Sequence, residues 1–180
     1  MALKRVVIDG YGQLELNAVA FRRSGRIEAQ CALDATDFAE VPAENGMLLA
    51  VDNINRVVKF AKSGNIYPIA LNYTTEHMYD ERHNALKDFK LEIGSFYPRM
   101  GYLGAGDKYT TNCLAYDTTE FDSEETLKTA LDNIKTAPLY AKVCDMGAHQ
   151  ITKSADGAVA LVIAKATMPD GQFAVKFQAL

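Results

Sequence analysis

The sequence predicts a mainly β fold, a small barrel or sandwich of short antiparallel strands with one α-helix near residues 123–135. Three observations lead to this class: apolar and polar residues alternate in several segments, turn formers separate those segments at short intervals, and a single segment has helical spacing. An α+β fold is the fallback. The length of 180 residues suits a single domain over 1–180, large enough to fold without disulfides.

Two β-hairpins are predicted, one near each end of the chain. Apolar residues alternate with more polar neighbours over 14–20 and 27–33, on either side of an Arg-Ser-Gly turn. The same pattern recurs over 158–166 and 173–179, around a Pro-Asp-Gly turn. Each pair of runs is therefore expected to form two adjacent antiparallel strands.

Three further short strands are predicted in between, with apolar runs at 47–51, 57–61 and 66–71. Asparagine, aspartate, serine and glycine separate these runs and are typical of turns. Pro68 lies within the third run and cannot donate a backbone hydrogen bond, which predicts an edge strand or a bulge. Residues 75–95 are polar, weakly periodic and too long for an ordinary hairpin loop, so they are predicted to form an insertion.

One helix is predicted, as an embellishment over residues 122–137. Apolar residues recur over 127–134 at i, i+3, i+4 and i+7, which lines one helix face. Asp122 is the expected N-cap, because Glu125 follows it at capping-box spacing. Pro138 is expected to end the segment.

The composition excludes several classes of partner. The net charge of −4, from 23 acidic and 19 basic residues, argues against nucleic acid, whose binders carry a basic face. No stretch reaches the roughly 18 apolar residues of a membrane span, and the N-terminal residues lack the apolar run of a signal peptide, so no membrane is expected. Cys31, Cys113 and Cys144 lie far apart and are expected to be free, half-buried thiols in a reducing compartment.

Residues 104–111, GAGDKYTT, contain the residue types of a phosphate-binding loop in the wrong arrangement. Such a loop needs adjacent Gly-Lys-Ser/Thr, so that the lysine and the hydroxyl share the phosphate and its magnesium. Here Asp107 separates Gly106 from Lys108, and a carboxylate would repel phosphate. The segment is predicted to be a tight turn that opens a strand, and no cofactor is expected.

The segment TTEHMYDERH, residues 74–83, is the strongest candidate for chemistry. His77 and His83 would lie about 600° apart around a helix and roughly 20 Å apart along a strand, so only a folded loop could bring both to one metal ion. The remaining ligands would then come from Glu76, Asp80 and Glu81. A polar loop is favoured, because the tight ligand spacing of single-segment metal sites is missing; a metal site and an acid–base pair stay open as alternatives.

The rest of the chain offers no catalytic pattern. It contains no GxSxG, HExxH or strand-linked GxGxxG motif. His149 stands alone in the string MGAHQITK and is expected to be exposed in a turn. We therefore predict no enzymatic activity, no catalytic residue and no metal or cofactor site.

Several strings resemble the head decoration proteins of tailed bacteriophages, also called capsid cement proteins. VPAENGMLLAVDNINRVVKFAK followed by IYPIALNYTTEH is similar to their organisation, in which a proline- and glycine-marked strand leads into a hairpin and an apolar strand closes a small barrel. GAGDKYTTN and ATMPDGQFAVKFQAL are similar to virion structural proteins from siphovirus-like head gene clusters. The resemblance covers residues 40–75 best, and 100–113 and 158–180 less closely. The polar insertion has no obvious counterpart in the small cement proteins.

The resemblance implies a non-enzymatic virion protein that binds across neighbouring subunits of the major capsid protein and stabilises the expanded shell. It implies a homo-oligomer, with a trimer as the expected state, located in the virion capsid after assembly in the host bacterial cytoplasm. Two alternatives remain open. One is a tail or connector component that forms rings, and the other is a small β-barrel that binds a ligand or metal through the loop at 76–83.

The candidate partner-contact residues are Leu3, Val6, Val7 and Ile8. They form an apolar, strand-like segment within residues 1–10, a possible extended N-terminal arm that adds to the sheet edge of a neighbouring subunit. Alternatively, they form the protein's own first strand, because strands pair most often within their own domain.

Overall fold

The computed structural model describes residues 2–62, 64–74 and 85–180. Two mixed β-sheets pack face to face as a sandwich, which confirms the mainly β prediction. The closed-barrel alternative is wrong, because both sheets have open edges in the part of the chain described. The described residues include no helix long and apolar enough to cross a membrane.

The described strands, in chain order, are β1 Leu3–Arg5, β2 Leu14–Ala18, β3 Ile27–Glu28, β4 Ala32–Leu33, β5 Leu48–Asp52, β6 Val57–Lys59, β7 Ile69–Asn72, β8 Met100–Gly101, β9 Lys108–Thr111, β10 Leu114–Asp117, β11 Tyr140–Val143, β12 His149–Thr152, β13 Ala160–Thr167 and β14 Phe173–Ala179. Sheet A has the order β1-β10-β12-β11-β13-β14-β9-β2, and sheet B has the order β3-β8-β7-β5-β6-β4. The pairs β10/β12 and β4/β6 are parallel, and the other pairs are antiparallel.

The core has two parts, because the central strands bury side chains on both faces. Every residue of β5 and of β10 is buried. One part joins Leu48 of sheet B to Tyr109 and Phe177 of sheet A. The other joins Leu49 of sheet B to Cys113, which precedes β10. Burial of such side chains, at about 25 cal/mol per Å² of apolar surface, is the main force that holds the two sheets together.

The N-terminal hairpin prediction is wrong. Strand β2 pairs with β9 in sheet A, whereas β3 pairs with β8 in sheet B. A short helix, α1 (Phe21–Ser24), lies between them, and Gly25 ends it in the left-handed conformation with φ of 70°. The alternating pattern correctly indicated half-buried strands, but alternation does not specify which strand is the partner.

The three strands predicted between residues 47 and 71 are present as β5, β6 and β7. Strands β5 and β6 form an antiparallel hairpin, and β7 pairs with the other side of β5. The edge or bulge predicted from Pro68 is wrong, since β7 lies inside sheet B between β8 and β5. Pro68 is tolerated because it precedes the first strand residue, and its carbonyl accepts a hydrogen bond from the Val51 N–H at 2.9 Å.

The predicted helix is α2, Glu124–Leu131, which buries Leu127 and Leu131. The predicted end at Pro138 is wrong, because residues 132–136 form turns after the helix. Its N-cap is Ser123, not Asp122 as predicted, because Ser123 is the extended residue and its hydroxyl accepts from the Thr126 N–H at 3.2 Å. The C-terminal hairpin is confirmed as β13 and β14, which pair from Ala160↔Ala179 to Thr167↔Phe173.

The predicted polar insertion is described only from residue 85 onward, beginning with a 3-10 helix at Leu86–Asp88. Phe89 and Leu91 are buried in the core, and Leu91 exchanges two backbone hydrogen bonds of 2.9 Å with Ala43. This part of the segment therefore packs against the body of the protein.

Candidate functional site

The predicted metal or acid–base segment begins at a described residue, Thr74. Its hydroxyl donates to Asn72 Oδ1 and accepts from the Arg99 N–H, so it belongs to the interior. The candidate ligands lie outside the described residues; they are Glu76, His77, Asp80, Glu81 and His83. Within the residues described, no group of three or more His, Cys, Asp or Glu side chains could hold a metal ion.

His149 is fully buried, so its predicted exposure in a turn is wrong. The turn ends at Ala148, and His149 is the first residue of β12. Its Nε2 lies 3.0 Å from the Tyr109 hydroxyl, its Nδ1 lies 3.2 Å from the Cys113 carbonyl, and its ring stacks on Phe177. A neutral imidazole with its proton on Nδ1 satisfies both contacts, because Nδ1 then donates to the carbonyl and Nε2 accepts from the hydroxyl.

Burial sets the proton affinities of this pair. Loss of hydration lowers the pKa of His149 to about 4, although the Cys113 carbonyl opposes the shift. The same loss raises the pKa of Tyr109 above its ordinary range. Both groups are therefore neutral at pH 7, and both side chains are out of contact with solvent. The arrangement resembles an acid–base dyad in its hydrogen bond, but a substrate could not reach it without opening the core.

A second polar cluster connects the N-terminal strand to the segment before β5. Arg5 donates to both carboxylate oxygens of Glu44 at 2.8 and 3.0 Å, and the Gly12 N–H donates to the same carboxylate at 2.7 Å. Burial lowers the pKa of Arg5, but Cys113 and Glu44 outweigh it and raise the pKa overall. Burial also raises the pKa of the Cys113 thiol to about 12, so this thiol is not a nucleophile at neutral pH.

All three cysteines are buried and free, so the half-buried state expected for them is wrong while the free state is confirmed. Cys31 and Cys113 are each at most 2% exposed, and Cys144 donates its thiol to the Ala148 carbonyl. They act as small core residues, as unreactive cysteines commonly do.

One cleft of about 560 Å³ has the size of a small-ligand site. It lies between the end of α2 and the start of β11, with walls that include Pro138 and Leu139. Among its polar side chains, which also include Tyr140, Asn133 and Lys153 already donate to the backbone carbonyls of Thr129 and Glu120. Two of its three polar side chains are therefore already occupied, which leaves Tyr140 to orient a small ligand.

The segment of residues 92–98, here called the aromatic loop, carries the most concentrated exposed apolar surface of the described chain. Phe96 is 67% exposed, Tyr97 55% and Ile93 44%. Buried residues hold both ends, Leu91 through its bridge to Ala43 and Met100 as part of β8. The aromatic loop therefore presents bulky apolar side chains on a segment whose two ends are anchored in the core.

The aromatic loop was not predicted from the sequence. The insertion predicted over residues 75–95 included Ile93, and no contact role was predicted for Phe96 or Tyr97. The signal was present as IGSFYP, in which Gly94 and Pro98 interrupt an apolar run. Gly94 adopts φ of 79°, which favours glycine and explains the turn.

The four predicted partner-contact residues differ in exposure. Strand β1 pairs with β10 of the same chain, with Leu3 opposite Asp117, so this segment forms the protein's own first strand. Val6 is 2% exposed and belongs to the core, whereas Val7 is 84% exposed. Leu3 and Ile8 are partly exposed. Of the four, Val7 is therefore the residue that a partner could contact most directly.

Comparisons with protein-family models, with curated proteins and with solved structures find no match for this chain.

Proposed function

We propose that this protein is a non-enzymatic structural component of a bacteriophage virion, a capsid decoration protein that binds the shell of major capsid protein and stabilises it. The observation that carries the proposal is the aromatic loop. Its Phe96 and Tyr97 are exposed side chains on a segment anchored at both ends. Buried aromatic anchors contribute most of the affinity at many protein interfaces, so exposed aromatic residues on an anchored segment suit adhesion.

The interior supports the same proposal. The most nearly catalytic pair in the described chain, His149 and Tyr109, is neutral and buried, and the Glu44 carboxylate is occupied by Arg5 and Gly12. These polar groups make their hydrogen bonds within the protein and stabilise its fold. A protein that resists pressure on a shell needs such a rigid body together with contact residues.

A direct test mixes the purified protein with expanded and unexpanded undecorated phage heads and measures co-sedimentation. We expect binding to expanded heads, and equal failure on both kinds of head would overturn the proposal. The Phe96→Ala/Tyr97→Ala variant should bind at least thirtyfold more weakly, because two anchor side chains are removed. Ile66→Ala is the matched control, since Ile66 is 85% exposed in a different loop.

The oligomeric state separates this role from a tail or connector component. We expect a homotrimer, or a monomer that assembles on the capsid, and mass measurement in solution checks this. A stable hexamer would favour the ring-forming alternative. Metal analysis of protein purified without a histidine tag tests the remaining alternative, because a stoichiometric ion would favour the loop at 76–83 as a binding site.

A further inference from the structure

We propose that the outer edge of β1 binds an extended segment of a partner protein as an added strand. The segment would place an acidic residue opposite Lys4 and an apolar residue in the cavity beside Leu3. This inference rests on the proposed function, because it names a surface on which the capsid partner would dock. It differs from an N-terminal arm that leaves its own sheet, since β1 here receives a strand and keeps its own partner.

The hydrogen bonds of β1 show which backbone groups are available. The Thr118 N–H donates to the Ala2 carbonyl at 3.2 Å, and the Val6 N–H donates to the Leu114 carbonyl at 3.0 Å. In an antiparallel pair such bonds occur at alternate residues, so Ala2, Lys4 and Val6 face β10. Leu3 and Arg5 therefore direct their N–H and C=O groups away from β10, on a side where the described chain has no strand.

This open edge is short and ends at a defined point. The next outward N–H, that of Val7, already donates to Glu124 Oε2 of α2 at 3.1 Å. An added strand would therefore pair with Leu3 and Arg5 and stop before Val7. Short open edges resist nonspecific pairing, so a partner must gain affinity from its side chains.

A cavity beside the edge provides that side-chain contact. It has a volume of about 450 Å³. Leu3, Ile69 and Val143 form the apolar part of its wall, and the polar part includes Lys62, Asn65, Asp145 and Gln150. In an added strand, the residue opposite Leu3 points to the same face as Leu3, which is the cavity side. An apolar side chain at that position would cover the apolar part of the wall, as side-chain pockets do in other strand-addition complexes.

The charges along β1 indicate that the partner segment should also carry an acidic residue. Arg5 is neutralised by Glu44, whereas Lys4 is exposed on the opposite face from Leu3, with no ion pair among the described residues. An acidic residue directly opposite Lys4 would form a favourable cross-strand pair.

The same charge disfavours a second copy of this chain as the occupant. An antiparallel β1–β1 pair that used both outward residues, Leu3 and Arg5, would have its two-fold axis at Lys4. Two lysines would then lie directly opposite each other, which is unfavourable. A different, acidic partner segment is the better fit.

The test uses a synthetic ten-residue peptide of alternating valine and glutamate, and a matched peptide with lysine in place of glutamate. Amide hydrogen exchange of the full chain is followed by NMR. The glutamate peptide should slow exchange at the Leu3 and Arg5 amides by roughly tenfold and leave the already paired Lys4 amide unchanged. Unchanged exchange at Leu3 and Arg5 would overturn the inference. Slowing that depends on protein concentration alone would also overturn it, in favour of a second copy.

Two variants test whether the charge of Lys4 contributes to binding of the glutamate peptide. Lys4→Glu should weaken binding of the glutamate peptide about fivefold and improve that of the lysine peptide. Lys135→Glu is the control, because Lys135 is an exposed lysine in the turn after α2. Equal effects of the two variants would contradict a role for Lys4.

The head-binding assay distinguishes failure of this inference from failure of the proposed function. If the wild-type protein and Lys4→Glu bind expanded heads equally well, the edge inference fails while the capsid role stands. If the wild type binds no heads, the capsid role fails, and the peptide experiment still decides whether the β1 edge accepts a strand.

Discussion

The Arg5–Glu44 and His149–Tyr109 pairs differ in charge and in what they connect. Arg5 and Glu44 are ionised and join the N-terminal strand to the segment before β5. His149 and Tyr109 are neutral and lie within sheet A, on β12 and β9. In the charged pair, Arg5 and Glu44 each offset the other's loss of hydration. In the neutral pair, His149 must stay unprotonated to remain in the core. The first should therefore be sensitive to mutation and the second to acid.

The largest effect is expected from Glu44→Gln. The amide can still accept from the Gly12 N–H, but it leaves the Arg5 charge partly buried without a counter-charge. We expect the free energy of unfolding to fall by about 3 kcal/mol, measured by urea denaturation at pH 7. Adding Arg5→Met should recover part of this loss, because it removes the unpaired charge. An equal or greater loss in the double variant would show that charge pairing is not the cause.

Acid should produce an effect of similar size, through His149. The folded pKa of about 4 lies below the ordinary value of 6.5, so the unfolded chain binds a proton first as pH falls. This contribution to stability is fully present above pH 6.5, decreases between 6.5 and 4, and is lost below 4. The expected loss is about 3 kcal/mol. The difference in unfolding free energy between wild type and His149→Gln should follow this window, and a constant difference would contradict the assignment.

A smaller loss is expected from Tyr109→Phe. The change keeps the ring, which contacts Phe177, and removes the hydroxyl that His149 Nε2 accepts from. One buried acceptor is left unpaired, so the expected cost is about 1 to 2 kcal/mol at pH 7. The pKa of His149, followed by NMR, should remain below 6.5 because burial is its main cause. A return to the ordinary value would show that the hydroxyl sets it instead.

The smallest change in stability is expected at the aromatic loop. Phe96 and Tyr97 are exposed, so Phe96→Ala/Tyr97→Ala should change the free energy of unfolding by no more than about 0.5 kcal/mol. Thermal denaturation of the same preparation used for head binding checks this. A loss near that of Tyr109→Phe would mean that the loop supports the fold and is not reserved for contact.

The sequence predicted local structure well and pairing poorly. Hydrophobic periodicity located α2 and the strands β13 and β14, because burial on one face follows directly from side-chain spacing. The partner of β2 is β9, about 90 residues later, and no local pattern encodes such a choice. The burial of His149 was missed for the same reason, since its neighbours Tyr109 and Phe177 come from distant strands.

The position of β14 has a consequence for how the chain is made. This strand, residues 173–179, is hydrogen-bonded on both sides and links β9 and β2 to the rest of sheet A. A nascent polypeptide cannot close this ladder until translation has passed residue 179. Pairing across so much sequence is slow and leaves edges exposed meanwhile. Products that end before β14 should therefore be more sensitive to proteolysis than the 180-residue chain.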